Sequence, residues 1–398
     1  MSDLIQMCKN YSEAQLADIA AFRKSGLSWE EVKLKYNKKY KTNKSENALR
    51  HVFRTYGDLF EVGTQEVDIK LLKDVARTKK NSSHLQRKTK KILDQLNNEE
   101  DLLDSVKELV KEFNKQPKIK LKKLTSKNKK KMTVEALLSD IHYGKKTDTF
   151  DLKVCRKRLQ HFTSVLIREI EDKEKSFTVN RLIVALLGDI IESATMHGVE
   201  SSKGCEFGNA KQVQEAIKSL FQDVLQPLAE LGIPIDVVSV TGNHDRTELK
   251  RTYHNPGEEN LTWIMYNTLK MLCEQAGYSH INFNIPTKPY ATLDIYGKTA
   301  LYEHYDNAKS NSRVALEALM MKRQKQVGKV ISFMRGGHFH EATSYGRGTI
   351  ITNGSVPGQD SFADVLGFDS EPTQTINFYI ETKNRPTPFY QTFPVYLP

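Results

Sequence analysis

Five short apolar runs constrain this chain most. They span 134–138, 182–187, 235–240, 299–302 and 330–333, and each ends in a cluster of carboxylate, imidazole or amide side chains. Apolar runs of this length fit buried strands, and longer stretches with helical spacing (152–173, 210–231, 258–276 and 312–326) fit between them. The pattern predicts an α/β arrangement whose function lies in the loops that follow the strands. A tail strand is expected over 375–380. A second, over 393–396, is expected at a sheet edge, because Pro394 has no N–H to give to a ladder.

The strand ends read, in order, Asp140-Ile141-His142, Gly188-Asp189-Ile190-Ile191-Glu192, Gly242-Asn243-His244-Asp245, His304, and Gly337-His338-Phe339-His340. Carboxylate, imidazole and amide oxygen together suit borderline divalent ions such as manganese, iron or zinc, whereas magnesium or calcium would favour oxygen alone. Residues two apart in such a loop can turn towards one point, so Asp140 and His142 can share an ion and His338 and His340 can reach neighbouring ions. The adjacent glycines allow the sharp turns this needs. A lone Gly-Asp or a lone buried histidine is more often structural, but five clusters in this order, each after a strand, point to chemistry. No cysteine takes part: Cys8, Cys155, Cys205 and Cys273 are scattered without a CxxC pair, which fits a reducing compartment.

On these motifs, residues 133 to about 358 resemble the calcineurin-like metallophosphoesterase family. The resemblance implies a two-sheet β-sandwich flanked by helices and two bound divalent ions, manganese first among them with iron, zinc or magnesium as alternatives. Asp140, His142 and His340 would hold one ion, Asp189 would bridge, and Asn243, His304 and His338 would hold the other. Ions about 3.5–4 Å apart can activate a hydroxide and neutralise charge in an in-line displacement. His244 resembles the family's catalytic histidine, with Asp245 orienting its ring. Arg246 is either a phosphate contact or a plain surface arginine. Two positions depart from the family pattern. His304 is followed by Tyr305 where glycine is usual, and His280 comes too early in the strand order to replace it. Glu192 stands three residues after Asp189, where the family's nucleases often carry histidine; His197 either takes over a phosphate contact or is a loop residue.

The front of the chain is different. Residues 1–132 hold 31 Lys and Arg against 18 Asp and Glu, while the remainder is nearly balanced. Such an excess suits a polyanion, because phosphate-neutralising cations release counterions, although a solvated lysine-rich surface would look similar. Three helical stretches are expected between residues 12 and 56, with Ser28 and Glu31 forming a capping box and Ser45 capping the third. They resemble a helix-turn-helix of the Myb or homeodomain-like kind, and equally a three-helix protein-interaction module. Leucine-rich helical segments follow over 67–113, which can pair with another copy in a homodimer, pack within the chain or form a mobile arm. Residues 117–132 carry eight lysines and no acid.

The expected organisation is therefore a DNA-binding helical module (1–62), a helical, lysine-rich linker (63–132) and a metallophosphoesterase domain (133–398). A basic module joined to a two-metal site points to a DNA nuclease of SbcD-like plan, bacterial or phage in source and cytoplasmic. The alternative is a phosphatase or small (cyclic) nucleotide phosphodiesterase whose front module binds a partner. A third reading keeps the metal only to stabilise the fold, against which the intact His244 argues. Aromatic Phe362 and Phe368 are core residues or base-stacking ones. No apolar run approaches the roughly 20 residues that would span a bilayer.

Overall fold

The computed structural model describes residues 11–56, 129–196, 202–247, 257–358, 371–381 and 387–398, together with 102, 104, 106–109 and 111. Most of the helical stretch expected over 67–113, His197, and the tail loop with Phe362 and Phe368 lie outside the described residues. The chain divides into two compact units, Met1–Leu96 and Asn97–Pro398. Among the described residues no helix is long and apolar enough to cross a membrane.

Among the described residues the first unit holds three helices: α1 (Glu13–Lys24), α2 (Trp29–Tyr40) and α3 (Glu46–Tyr56). Two start in reciprocal capping boxes, Ser12 with Gln15 and Ser28 with Glu31, and Ser45 Oγ accepts from the Ala48 amide to cap the third. Each such cap is worth about 1 kcal/mol against alanine. Their apolar faces converge on Leu16, Ile19, Val32, Tyr36, Leu49 and Val52. Trp29 lies with the Arg23 guanidinium 4.6 Å from its ring centre and Phe53 edge-on at 5.4 Å. Asn47, Arg50, His51 and Arg54 form the exposed side of α3.

In the second unit, β1 (Lys131–Leu138), β2 (Thr178–Leu187), β3 (Ile235–Val240) and β4 (Ile281–Asn284) run parallel and are extended antiparallel by β10 (Thr373–Ile380) and β11 (Phe389–Tyr396), in the order β11-β10-β1-β2-β3-β4. A second sheet, in the order β5-β6-β7-β9-β8, is built from β5 (Tyr290–Ile295), β6 (Lys298–Glu303), β7 (Ile331–Gly336), β8 (Thr343–Tyr345) and β9 (Ile350–Thr352). Helices α4 (Leu152–Glu174), α5 (Asn209–Ser219), α6 (Gln226–Ala229) and α7 (Leu261–Gln275) accompany the first sheet, and α8 (Arg313–Val327) the second. A π-helical stretch, Leu220–Leu225, joins α5 to α6, so the single helix expected over 210–231 changes pitch midway. This is the α/β two-sheet sandwich flanked by helices that the sequence predicts, with an all-α region before it.

The strand alternation assigns each side chain to a layer. On β2, Leu182, Val184 and Leu186 face the helices with Val134, Leu159, Phe162, Val213 and Leu269, while Ile183, Ala185 and Leu187 face the second sheet. Burial on both faces is why the run reads as continuously apolar. Each such side chain contributes roughly 1.5–3 kcal/mol. The seam between the sheets is closed from the other side by Ala291, Ile295, Ala300, Tyr302, Phe333 and Ile351. Leu102 and Leu109, from the stretch read as linker, lie in the helix-side core of this unit. At the start of β1, Lys129 Nζ donates to the carbonyls of Glu174 and Lys175 at the end of α4. The opposite end of β1 leads into the strand-end loops.

Candidate metal centre

The loops after β1, β2, β3, β6 and β7 meet over one end of the sandwich seam. Five of the side chains brought together there sit on left-handed backbone: Asp140 (φ 50°), His142 (54°), Asp189 (49°), His338 (77°) and His340 (57°). Non-glycine residues in this region cost about 1–3 kcal/mol each, and such strain gathers where geometry is fixed by function. Gly188, at φ 88°, uses glycine's freedom to turn. Gly242 and Gly337 are required by crowding instead, since a Cβ would stand 2.1 Å from Asp189 Oδ1 and 2.2 Å from Asp140 Oδ2 respectively.

Among the described residues three donor groups result, two made of expected ligands and a third of His142, Glu192 and His244. In the first, His340 Nε2 lies 3.3 Å from Asp140 Oδ1 and 3.3 Å from His142 Nε2. In the second, His304 Nε2 lies 2.9 Å from Asp189 Oδ2 and 3.2 Å from Asn243 Oδ1, and the His338 ring centre is 5.1 Å from that of His304. Within Asp140–His142–His340, and again within Asp189–His304–His338, the candidate donor atoms all lie within 4.8 Å of one another. Buried carboxylates facing imidazole nitrogens that face each other form a donor set for a divalent cation, so the residues present fit the metal expected from the sequence. Asp189 Oδ2 faces His304, while its Oδ1 accepts the His244 amide at 2.8 Å.

The surroundings fix the rings. His304 Nδ1 lies 2.8 Å from the Leu187 carbonyl, which leaves Nε2 as the inward donor atom. His142 Nδ1 lies 2.7 Å from Glu192 Oε2, and His244 Nδ1 lies 2.7 Å from the Glu192 carbonyl oxygen. Glu192 thus touches a ring in the first cluster with its side chain and the His244 ring with its backbone. The sequence marked it only as a departure from the family pattern; its signal was a carboxylate three residues beyond Asp189. Asp245, expected to orient His244, is engaged elsewhere: its carboxylate accepts the amides of Gly242 (2.6 Å), Asp189 (3.0 Å) and Ile190 (3.1 Å), tying the β3 loop to the β2 loop. With the Ile191 amide at 3.4 Å as a fourth donor, this short buried acid serves the loops, and the Glu192 carbonyl takes the position at His244 Nδ1.

Tyr305 explains the other departure. It holds φ 73°, the conformation that glycine adopts freely, and its fully buried ring packs where Gly336 leaves room, with its hydroxyl donating to the Ile351 carbonyl at 3.2 Å. His280 Nε2 lies 3.1 Å from the Ala229 carbonyl, in the turn before β4. Arg246 is half-buried; its Nε donates to the Asn243 carbonyl at 2.8 Å and Nη2 approaches the Met196 sulfur at 3.7 Å.

Electrostatics separate the ionisable groups. Burial opposes charge on His304, but Asp189 outweighs it and raises the ring well above its ordinary value. His338 moves the other way, pulled down to about 4 by burial and by His304. Burial pushes Glu192 up, yet His142 wins and holds it at about 2. Asp245 is pushed up to about 7 by burial and then by the Asp189 charge. His244 is raised because Asp189 and Glu192 together outweigh its burial.

No protein-family model and no curated protein matches the chain. Among solved structures it is similar to an archaeal phosphodiesterase, at 12% identity over 66% of this chain and 99% of that one with a TM-score of 0.30. It is also similar to zinc-bound Vps29 from Entamoeba histolytica (11%, 66% and 98%, 0.27). A predicted phosphoesterase from Streptococcus pneumoniae is similar at 13% identity, 66% and 98% coverage and a TM-score of 0.27.

Proposed function

We propose that this chain is a metal-dependent phosphodiesterase, and specifically a manganese-dependent DNA nuclease. The observation that carries the reading is the pair of donor clusters, Asp140–His142–His340 and Asp189–His304–His338, with the His244 amide held by Asp189. When bound, two divalent ions would supply Lewis-acid polarisation of a phosphoryl oxygen and a water of lowered pKa. Asp140, His142 and His340 hold one ion, and Asp189, Asn243, His304 and His338 the other. The mixed nitrogen and oxygen donors, without a thiolate, suit manganese.

The remaining residues bind and move protons. Asp189 and Glu192 favour the protonated form of the His244 ring, and the Glu192 carbonyl occupies Nδ1. Nε2 is then the nitrogen that gives its proton to the leaving oxygen. Arg246, braced on the Asn243 carbonyl, offers its guanidinium to a phosphate oxygen. The polymer preference rests on the basic front of the chain, where α3 exposes Asn47, Arg50, His51 and Arg54. Tethering a DNA-binding unit to the site raises the local concentration of phosphodiester.

The test is manganese-dependent cleavage of labelled single- and double-stranded DNA by the whole chain and by residues 97–398, with a chromogenic phosphodiester as control. DNA cleavage that weakens on truncation while ester cleavage persists supports the nuclease. Cleavage of the ester alone by both proteins would replace it with a phosphatase or small-nucleotide phosphodiesterase.

A further inference from the structure

Each donor cluster takes residues from both sheets. Asp140, His142, Asp189 and Asn243 follow strands of the six-stranded sheet, and His304, His338 and His340 follow strands of the five-stranded one. The centre therefore exists only while the two sheets hold one registration. Apolar packing across the seam is non-directional and tolerates sliding.

Directional bonds join the sheets at their margins, as where Arg181 Nη1 donates to the Asp294 carbonyl at 2.6 Å and Asn284 Nδ2 to the Thr292 carbonyl at 3.2 Å, and a charged network joins them within the seam. Glu135 on β1, five residues before Asp140, and Arg335 on β7, three before His338, are both fully buried between the sheets. Arg335 Nε donates to Glu135 Oε2 at 3.0 Å. Tyr302 on β6 donates its hydroxyl to Glu135 Oε1 at 2.6 Å, and on β10 the Tyr379 hydroxyl and Asn377 Nδ2 donate to Oε2 at 2.7 and 2.8 Å. Arg335 Nη2 donates to the Tyr379 oxygen at 2.7 Å, and Nη1 to the carbonyls of Met334 and Thr349 at 2.9 and 3.2 Å. The network joins two strands of each sheet. Stability is a poor reason for it, because desolvating two charges is costly and a well-packed apolar pair of equal volume generally does as well or better. What an apolar pair cannot supply is a fixed offset between β1 and β7.

We propose that Glu135 and Arg335 are positioning residues that set the registration of the two sheets, and through it the closure of the Asp140–His142 arm onto His340. The proposal rests on the metal-centre reading above. A displacement on the order of 1 Å at a reacting site costs about a hundredfold in rate, so a fixed offset matters there far more than in an ordinary core.

The test compares the whole chain with the double variant Glu135→Leu/Arg335→Met, which removes both charges and leaves neither stranded. Each is loaded with Mn²⁺ alone and followed by thermal unfolding, by titration of bound manganese, and by electron paramagnetic resonance, which distinguishes spin-coupled manganese pairs from isolated ions. The expected result is a metal-free melting temperature within a few degrees of wild type, with about tenfold or greater weakening of one ion and a shift from coupled to isolated spectra. An unchanged coupled spectrum with both affinities within about twofold would overturn the proposal. Should the double variant not fold, Tyr302→Phe and Tyr379→Phe each remove one hydrogen bond onto Glu135 and are read the same way; unchanged coupling in both overturns it. If wild type itself binds no manganese, the metal-centre reading fails first, and this proposal with it.

Discussion

The two halves of the candidate metal centre use the same kinds of donor and fix them differently. Each has two buried donors and one partly exposed histidine, His340 in the first and His338 in the second. In the second a main-chain carbonyl, that of Leu187, fixes the His304 ring, whereas in the first a carboxylate, Glu192, stands behind His142. A rigid carbonyl sets a ring once and for all, whereas a carboxylate can also add charge behind the ligand and strengthen it as a donor.

Removing Asp189, the carboxylate proposed to bridge the halves, should have the largest effect. Asp189→Ala takes a donor from the centre and leaves the His244 amide unpaired; phosphodiesterase turnover should fall by about three orders of magnitude or more, with metal content down in both clusters. Retention of either ion at wild-type affinity would show that Asp189 is not shared. Next come the halves taken singly. His304→Ala should leave the protein one ion short after dialysis, measured by elemental analysis, while His340→Ala should keep its metal content at saturating manganese and lose it on dilution. Equal behaviour of the two variants would abolish the distinction between them.

Glu192→Gln keeps the shape and removes the charge. It should weaken the first cluster by about 10- to 100-fold and leave the second alone, visible as faster loss of one ion to a chelator. Loss from both would assign Glu192 to the whole centre. A subtler contrast lies in protons. Asp189 favours the protonated form of His304, so loading the second cluster should release a proton there, while His338, held at about 4, has none to give near neutral pH. Calorimetry in buffers of different ionisation enthalpy reads this directly. The sign carries over to stability: a raised histidine stabilises the metal-free fold below its unfolded pKa, and that contribution is lost as pH climbs through the folded value. The smallest effect belongs outside the centre. Arg54→Ala on α3 should lower DNA affinity by a few fold and flatten its salt dependence, leaving cleavage of a small ester unchanged.

Much of this was legible in the residues. The five strand ends stand out because a strand's alternation stops where a polar cluster begins, and Ser12, Ser28, Ser45 and Ser312 start helices where capping chemistry says they should. What sequence could not show depends on contacts between distant segments. The reach from Glu192 to His244 spans 52 residues, and the choice of Asp245 for backbone amides over an imidazole depends on how two loops cross. The short strands β4, β5, β8 and β9 also went unread. At three to six residues they offer too little alternation to separate from loop, and only pairing with their neighbours defines them.

The direction of β1 sets a distance as well as a topology. Its eight residues start at Lys131, next to the lysines that follow the basic segment, and end at the loop carrying Asp140. At about 3.3 Å per residue the strand measures roughly 26 Å, which on a B-form strand at about 3.4 Å per phosphate corresponds to about eight nucleotides. That length is the minimum span for the proposed DNA-cleavage activity to draw on both ends of β1, so a nuclease that used Lys130 and the metal centre together would cleave oligonucleotides shorter than about eight residues no better than a small ester.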